Sequence, residues 1–166
     1  MPPPLAARLF RTGAVPMAEV DLTYDRLGNR LKGIGSIEVS YDHLGSRPNR
    51  LGLMELGYDV AGSRLRSIGA AHIEYDRLGS RARALGSWEL DYDRLGTRLR
   101  RVGPYEVTYD VLGTRVSTVG PMTVKYDRLG NRPKQVLVSG EEPTLVEDDL
   151  VALFFVLNQA RRDAEG

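Results

Sequence analysis

The stretch Tyr24-Asp25-Arg26-Leu27-Gly28-Asn29-Arg30 recurs along the whole central part of the chain. Its tyrosine returns every 17 residues without an insertion, at Tyr24, Tyr41, Tyr58, Tyr75, Tyr92, Tyr109 and Tyr126. All seven copies keep the Tyr, Asp, Gly and Arg of the pattern Tyr-Asp-x-Leu-Gly-[Asn/Ser/Thr]-Arg, and only the third replaces the Leu, by Ala61. A fixed period of this kind predicts a repeat protein in which each copy is one supersecondary unit.

The chemistry of the motif predicts a tight hairpin loop. Asp favours the first position of a type I turn, and Gly tolerates the left-handed backbone that follows such a turn in a three-residue hairpin loop. In two representative copies the residues assigned to the structural turn are Asp25, Gly28, Arg30, Asp76, Gly79 and Arg81.

The residues before each motif alternate between apolar and polar, as in Ile37, Val39 and Tyr41, which is typical of a strand. After the motif a second short segment ends in an apolar residue and Gly, as in Ile34-Gly35, where the chain reverses again. Each repeat is therefore predicted to be one β-hairpin, which gives about fourteen short antiparallel strands. The register stays open, because pairing Tyr41 with Arg47 would place arginines on the apolar face unless a bulge intervenes.

The motif resembles the YD repeat of Rhs-type proteins, and the likeness covers residues 24–134. This resemblance implies hairpins laid side by side in a long curling sheet, which in that family builds toxin-enclosing shells or surface filaments. Seven units are few for such a shell.

The segment that follows the repeats predicts a hydrophobic C-terminal helix. Acidic residues open it and Arg161 and Arg162 lie near its end, which suits the helix dipole. Its centre is apolar on all sides, a pattern that favours burial on all sides. The residues expected to be buried are Leu150, Leu153, Phe154 and Leu157. The predicted boundaries are a disordered lead-in at 1–16, the repeat domain at 17–138, a loop at 139–145 and the helix at 146–164.

These elements predict an all-β antiparallel meander of about seven 17-residue hairpin repeats. It forms a barrel or curled sheet around or against one hydrophobic C-terminal helix. That architecture resembles the tubby-like barrels, a likeness that implies binding of membrane lipid. A β-solenoid capped by the helix is the competing architecture. It would stack like charges about 4.8 Å apart, which is unfavourable.

Charge divides unevenly along the chain. Residues 24–134 hold 19 Lys/Arg and 13 Asp/Glu, whereas residues 141–166 hold 2 and 7. An arginine present in every repeat is expected to pair with Asp or stack on Tyr within the fold. The basic residues that vary between repeats form the predicted anionic contact surface, namely Arg50, Arg66, Arg83, Arg100 and Arg101.

The absence of Cys excludes disulfides, thiol nucleophiles and zinc–cysteine sites. No phosphate-binding loop or dinucleotide fingerprint is present, and no constellation suggests a catalytic residue, a metal ligand or a cofactor. We therefore expect a non-enzymatic, cytoplasmic structural or interaction module, with a protein partner or self-assembly. A lipid- or anionic-ligand-binding barrel is the alternative, since anionic lipid remains open as a partner and nucleic acid is not expected.

Overall fold

The computed structural model describes residues 17–26, 30–42, 47–60, 64–77, 81–94, 98–111, 115–128, 132–140 and 145–165. Within these residues the chain forms fourteen strands and one helix. The strands are β1 (Met17–Tyr24), β2 (Leu31–Ile34), β3 (Ile37–Tyr41), β4 (Pro48–Leu51), β5 (Met54–Tyr58), β6 (Leu65–Ile68), β7 (Ala71–Tyr75), β8 (Ala82–Leu85), β9 (Trp88–Tyr92), β10 (Leu99–Val102), β11 (Tyr105–Tyr109), β12 (Val116–Val119), β13 (Met122–Tyr126) and β14 (Pro133–Ser139). The helix is α1 (Glu147–Glu165).

The strands pair in sequence order, each antiparallel to the next, and β1 pairs with β14 to make a closed barrel. The predicted fold class is therefore confirmed as a mostly antiparallel β meander with one C-terminal helix. The solenoid is excluded, because its coils would not place successive strands in antiparallel hairpins. The observed boundaries differ slightly from the predicted ones, since β14 ends at Ser139 and α1 spans Glu147–Glu165. The predicted lead-in at 1–16 lies outside the described residues.

Each hairpin contains a bulge that settles the strand register. Ser40 pairs with Arg50 and Tyr41 pairs with Pro48, so Asn49 is an extra residue in β4. The bulge changes which face of the sheet the following side chains occupy. Pro48 and Leu51 are therefore both buried although they are three positions apart. The motif arginine precedes the strand and is not opposite the tyrosine of its own hairpin, which removes the apparent conflict on the apolar face.

Between hairpins the chain reverses through two-residue turns. Ile34 pairs with Ile37 across Gly35 and Ser36, and Gly35 has a φ of 60°. Gly at the first central position with positive φ, followed by a residue without it, is the pattern of a type II′ turn. The same glycine position has φ between 53° and 61° at Gly52, Gly69, Gly86, Gly103 and Gly120.

Two compact units make up the chain: Leu22–Glu106 and, in its described part, residues 17–21 with 107–165. In the first unit, paired apolar residues on neighbouring strands form the core, for example Val39 with Leu51 and Ile73 with Leu85. All four are at most 3% exposed. Burial of such side chains is the main favourable contribution to folding.

In the second unit, α1 contacts β12. Its residues from Leu150 to Val156 are all buried, and Ala152 and Leu153 have no exposed surface. The helix begins with a cap in which the Asp149 carboxylate accepts a hydrogen bond from the Val146 amide at 3.2 Å. Of the residues expected to be buried, Leu150, Leu153 and Phe154 are buried, whereas Leu157 is half-buried.

Candidate interaction surface

The charged residues of the motif bind each other at the base of each hairpin loop. The Asp25 amide donates to the Arg30 carbonyl at 3.0 Å, and Arg30 Nε donates to Asp25 Oδ2 at 2.7 Å. The same Asp–Arg ion pair occurs in all seven motif copies, with N–O distances between 2.7 and 4.0 Å. The loop glycines Gly28 and Gly79, predicted as turn residues, lie outside the described residues, whereas Asp25, Arg30, Asp76 and Arg81 form this pair.

The same arginine also contacts the next hairpin. Arg30 lies over the ring of Tyr41, with its guanidinium carbon 4.7 Å from the ring centre, and the Tyr41 hydroxyl donates to the Leu31 carbonyl at 2.7 Å. Equivalent stacks, at 4.1–4.6 Å, join Arg47 to Tyr58, Arg64 to Tyr75, Arg81 to Tyr92 and Arg115 to Tyr126. We call this set of Asp–Arg, Arg–Tyr and Tyr–carbonyl contacts the motif lattice.

The tyrosines of the motif lattice donate hydrogen bonds to backbone carbonyls and keep their hydroxyl protons. Burial is the main cause that raises the pKa of Tyr126 to about 12, and the Arg115 charge only partly offsets it. The phenol therefore keeps its proton above the pH at which an exposed tyrosine ionises, and it donates a hydrogen bond to the Val116 carbonyl at 2.6 Å. The repeated polar groups of the motif are thus engaged in contacts that hold adjacent hairpins together.

The bulge places one residue of each even-numbered strand on the outside of the sheet. These residues are Lys32, Asn49, Arg66, Arg83, Arg100, Ser117 and Lys134, and all except Asn49 and Ser117 are exposed. Three arginines therefore follow one another on β6, β8 and β10, which are separated by two strand spacings, or about 10 Å. We call Arg66, Arg83 and Arg100 the arginine row.

The structure divides the five predicted contact residues into two groups. Arg66, Arg83 and Arg100 share the bulge position and form the arginine row. Arg50 and Arg101 lie one position further along their strands, where acidic residues face them across the ladder. Arg50 pairs with Glu55 and its side chain lies 3.5 Å from that carboxylate.

Arg101 is flanked on both sides, since it pairs with Asp91 on β9 and with Glu106 on β11. Asp91 and Glu106 belong to a second line of exposed side chains that borders the arginine row. We call Glu74, Glu89, Asp91 and Glu106 the acidic row. Its first two members, on β7 and β9, pair with Ala84 of β8 from opposite sides, so the acidic row lies beside Arg83 on the two flanking strands.

Two further exposed arginines extend the positive charge at the loop end of these hairpins. Arg77 and Arg94 directly follow the motif Asp of their repeats and are exposed. Sequence reasoning missed them as surface candidates. The signal was available, because this position also varies between repeats, with Val60 and Val111 in two other copies.

Among the described residues, no group of three or more His, Cys, Asp or Glu side chains could hold a metal ion. No helix within the same residues has both the length and the apolar character needed to cross a membrane. No protein family, curated protein or solved structure matches this chain.

Proposed function

We propose that this protein is a non-catalytic structural or protein-interaction module. The observation that carries the proposal is that its arginines fall into two groups with different surroundings. Those present in every repeat are engaged in the motif lattice, whereas those that vary between repeats lie on the outside at regular intervals. Regularly spaced exposed charges are suited to recognising another regular or charged surface.

The YD-like hairpins support this proposal by resemblance, because such hairpins in Rhs-type proteins serve as shells and filaments. In this interpretation the fold is a rigid frame that displays charges, in a cytoplasmic setting. Surface charges of this kind contribute more to the rate and specificity of association than to the stability of the fold.

A lipid- or anionic-ligand-binding barrel of the tubby-like kind is the second candidate function. The arginine row favours it, because the planar guanidinium group can bind phosphate or carboxylate through two hydrogen bonds. The adjacent acidic row weighs against a broad anionic surface, since such a surface would also meet Glu74 and Glu89.

Native mass spectrometry of the full chain, purified gently from its own cells, tests the two functions. The interaction module predicts a multimer or a complex with a second polypeptide, and the complex should be lost in an Arg83→Glu/Arg100→Glu variant. The matched control is Lys32→Glu/Lys134→Glu, which changes the same number of charges at the same bulge position. A monomer that carries a small-molecule mass would support the ligand-binding function instead.

A further inference from the structure

The geometry points to a second copy of this chain as the partner of the outer surface. The two copies would lie side by side and antiparallel, with the arginine row of each against the acidic row of the other. This inference rests on the proposed interaction function and names the partner for it.

The outer surface is complementary in charge to itself. Arg66, Arg83 and Arg100 lie next to the line formed by Glu74, Glu89, Asp91 and Glu106, and all seven side chains are exposed. Arg77 and Arg94 increase the positive charge at the loop end. Positive and negative charge therefore occupy two neighbouring lines, with the exception of Arg101, which lies between Asp91 and Glu106. A copy rotated by 180° presents each line to its opposite.

The arginine row and the acidic row have the same spacing. The arginine row lies on β6, β8 and β10, and the acidic row lies on β7, β9 and β11. Equivalent members of either row are one 17-residue repeat apart, so both rows advance by two strand spacings, about 10 Å, from one hairpin to the next. A partner of unrelated structure would need the same spacing independently, whereas a second copy has it by construction. A two-fold arrangement also satisfies both rows at once, because an isologous interface uses the same patch on both subunits.

The charges of the two rows are available to a partner. Within the described part of the chain, Arg66 and Arg100 make no ion pair, and the Arg83–Glu74 contact is loose at 3.6 Å. The side chains of Arg83 and Glu74 remain 65% and 62% exposed. The net charge of the chain is only +1, so long-range repulsion between two copies is small.

The narrow width of the positive line argues against other occupants. A planar anionic surface such as a membrane would also approach the acidic row, where like charges repel it. Among the residues that the structure describes, no aromatic side chain is exposed near the arginine row, so this surface lacks the stacking platform that strengthens binding of single-stranded nucleic acid.

The interface consists mainly of exposed charges, so we expect association that depends strongly on salt. The Debye length falls from about 30 Å at 0.01 M salt to about 3 Å at 1 M. Sedimentation equilibrium of the full-length protein should show a dimer of the 18.4 kDa chain at low salt. The Kd of the dimer should fall as the salt concentration falls. We expect it to be on the order of tenfold or more lower at 0.01 M than at 1 M.

Complementary charge reversals give the decisive test. Arg83→Glu/Arg100→Glu reverses two of the three charges in the arginine row, and Glu89→Arg/Glu106→Arg reverses two of the four charges in the acidic row. Each variant alone should be monomeric at low salt, and an equimolar mixture should form heterodimers. Circular dichroism checks that both variants fold, and Lys32→Glu/Lys134→Glu should dimerise like the wild type.

Several results would overturn the inference. These are a wild-type monomer at both salt concentrations, a dimer unaffected by either reversal, or two folded variants that fail to pair. Two further arms add phosphatidylserine vesicles and a DNA oligonucleotide to the wild type. Arginine-dependent binding to either of them by a monomer would replace the second copy as the partner. A monomer in isolation that still binds another polypeptide in its cells would overturn this inference and leave the proposed function standing.

Discussion

Arg64 and Arg66 lie two residues apart in the same hairpin and have different surroundings. The Arg64 guanidinium is 4.1 Å from the Tyr75 ring centre and 3.4 Å from the Asp59 carboxylate. Arg66 occupies the bulge and extends into solvent. The motif arginine and the residue at the bulge position differ in the same way in other repeats. The motif lattice therefore holds the hairpins together, while the bulge position remains available for recognition.

The largest effect is expected where the largest side chains of α1 are buried. Phe154→Ala should lower the free energy of unfolding by about 3–5 kcal/mol, because Phe154 is buried in α1 and its removal leaves a cavity. Leu157→Ala is the matched control, since the half-buried Leu157 should cost only about 1–2 kcal/mol. Urea denaturation measures both. Equal costs for the two variants would contradict the burial assigned to the helix.

The next largest effect is expected at the glycines of the two-residue turns that connect neighbouring hairpins. A Cβ at Gly103 would overlap the Trp88 ring, whereas one at Gly86 would meet the Ala71 Cβ at 3.3 Å. Both glycines have positive φ, so Gly86→Ala should cost roughly 1–3 kcal/mol from backbone strain. Gly103→Ala should cost about 1–3 kcal/mol more because of overpacking against Trp88. Thermal unfolding of both variants tests this, and a milder effect at Gly103 would contradict the packing.

The third effect is the pH dependence of stability that Tyr126 of the motif lattice contributes. The folded pKa of Tyr126 is raised to about 12 from an ordinary value of 10.0, so the folded state keeps a proton that the unfolded state loses between these values. The stability contributed by Tyr126 is therefore fully present below pH 10 and is lost as pH rises toward 12. Urea midpoints measured across this range should fall less steeply in Tyr126→Phe than in the wild type. Identical slopes would indicate that the phenol is not buried in the folded protein.

Much of the fold was predictable from the sequence because the 17-residue period fixes one hairpin per motif. The apolar alternation in residues such as Ile37 and Val39 indicated strands, and Gly35 indicated a reversal. The register was not predictable, since nothing in the residue type of Asn49 distinguishes a bulge from a regular strand position. The pairing of Tyr41 with Pro48 depends on tertiary packing of Leu51 into the core.

The candidate surface was predictable only in part. Variation between repeats correctly marks residues that lie outside the motif lattice, such as Arg66 and Arg100. The same criterion grouped them with Arg50 and Arg101, which the bulge places among acidic residues. The two groups lie at adjacent positions of the strand, at the bulge and one residue after it. The position of the bulge depends on strand pairing, which the sequence pattern alone does not reveal.

The most direct test of the account is the paired measurement of Arg64→Ala and Arg66→Ala by urea denaturation. Arg64→Ala should lower the free energy of unfolding by roughly 1–3 kcal/mol, because it removes the stack on Tyr75 and the ion pair with Asp59. Arg66→Ala should change it by less than about 0.5 kcal/mol, as exposed surface substitutions usually do. Equal losses at the two positions, or a larger loss at Arg66, would contradict the separation of the motif lattice from the outer surface.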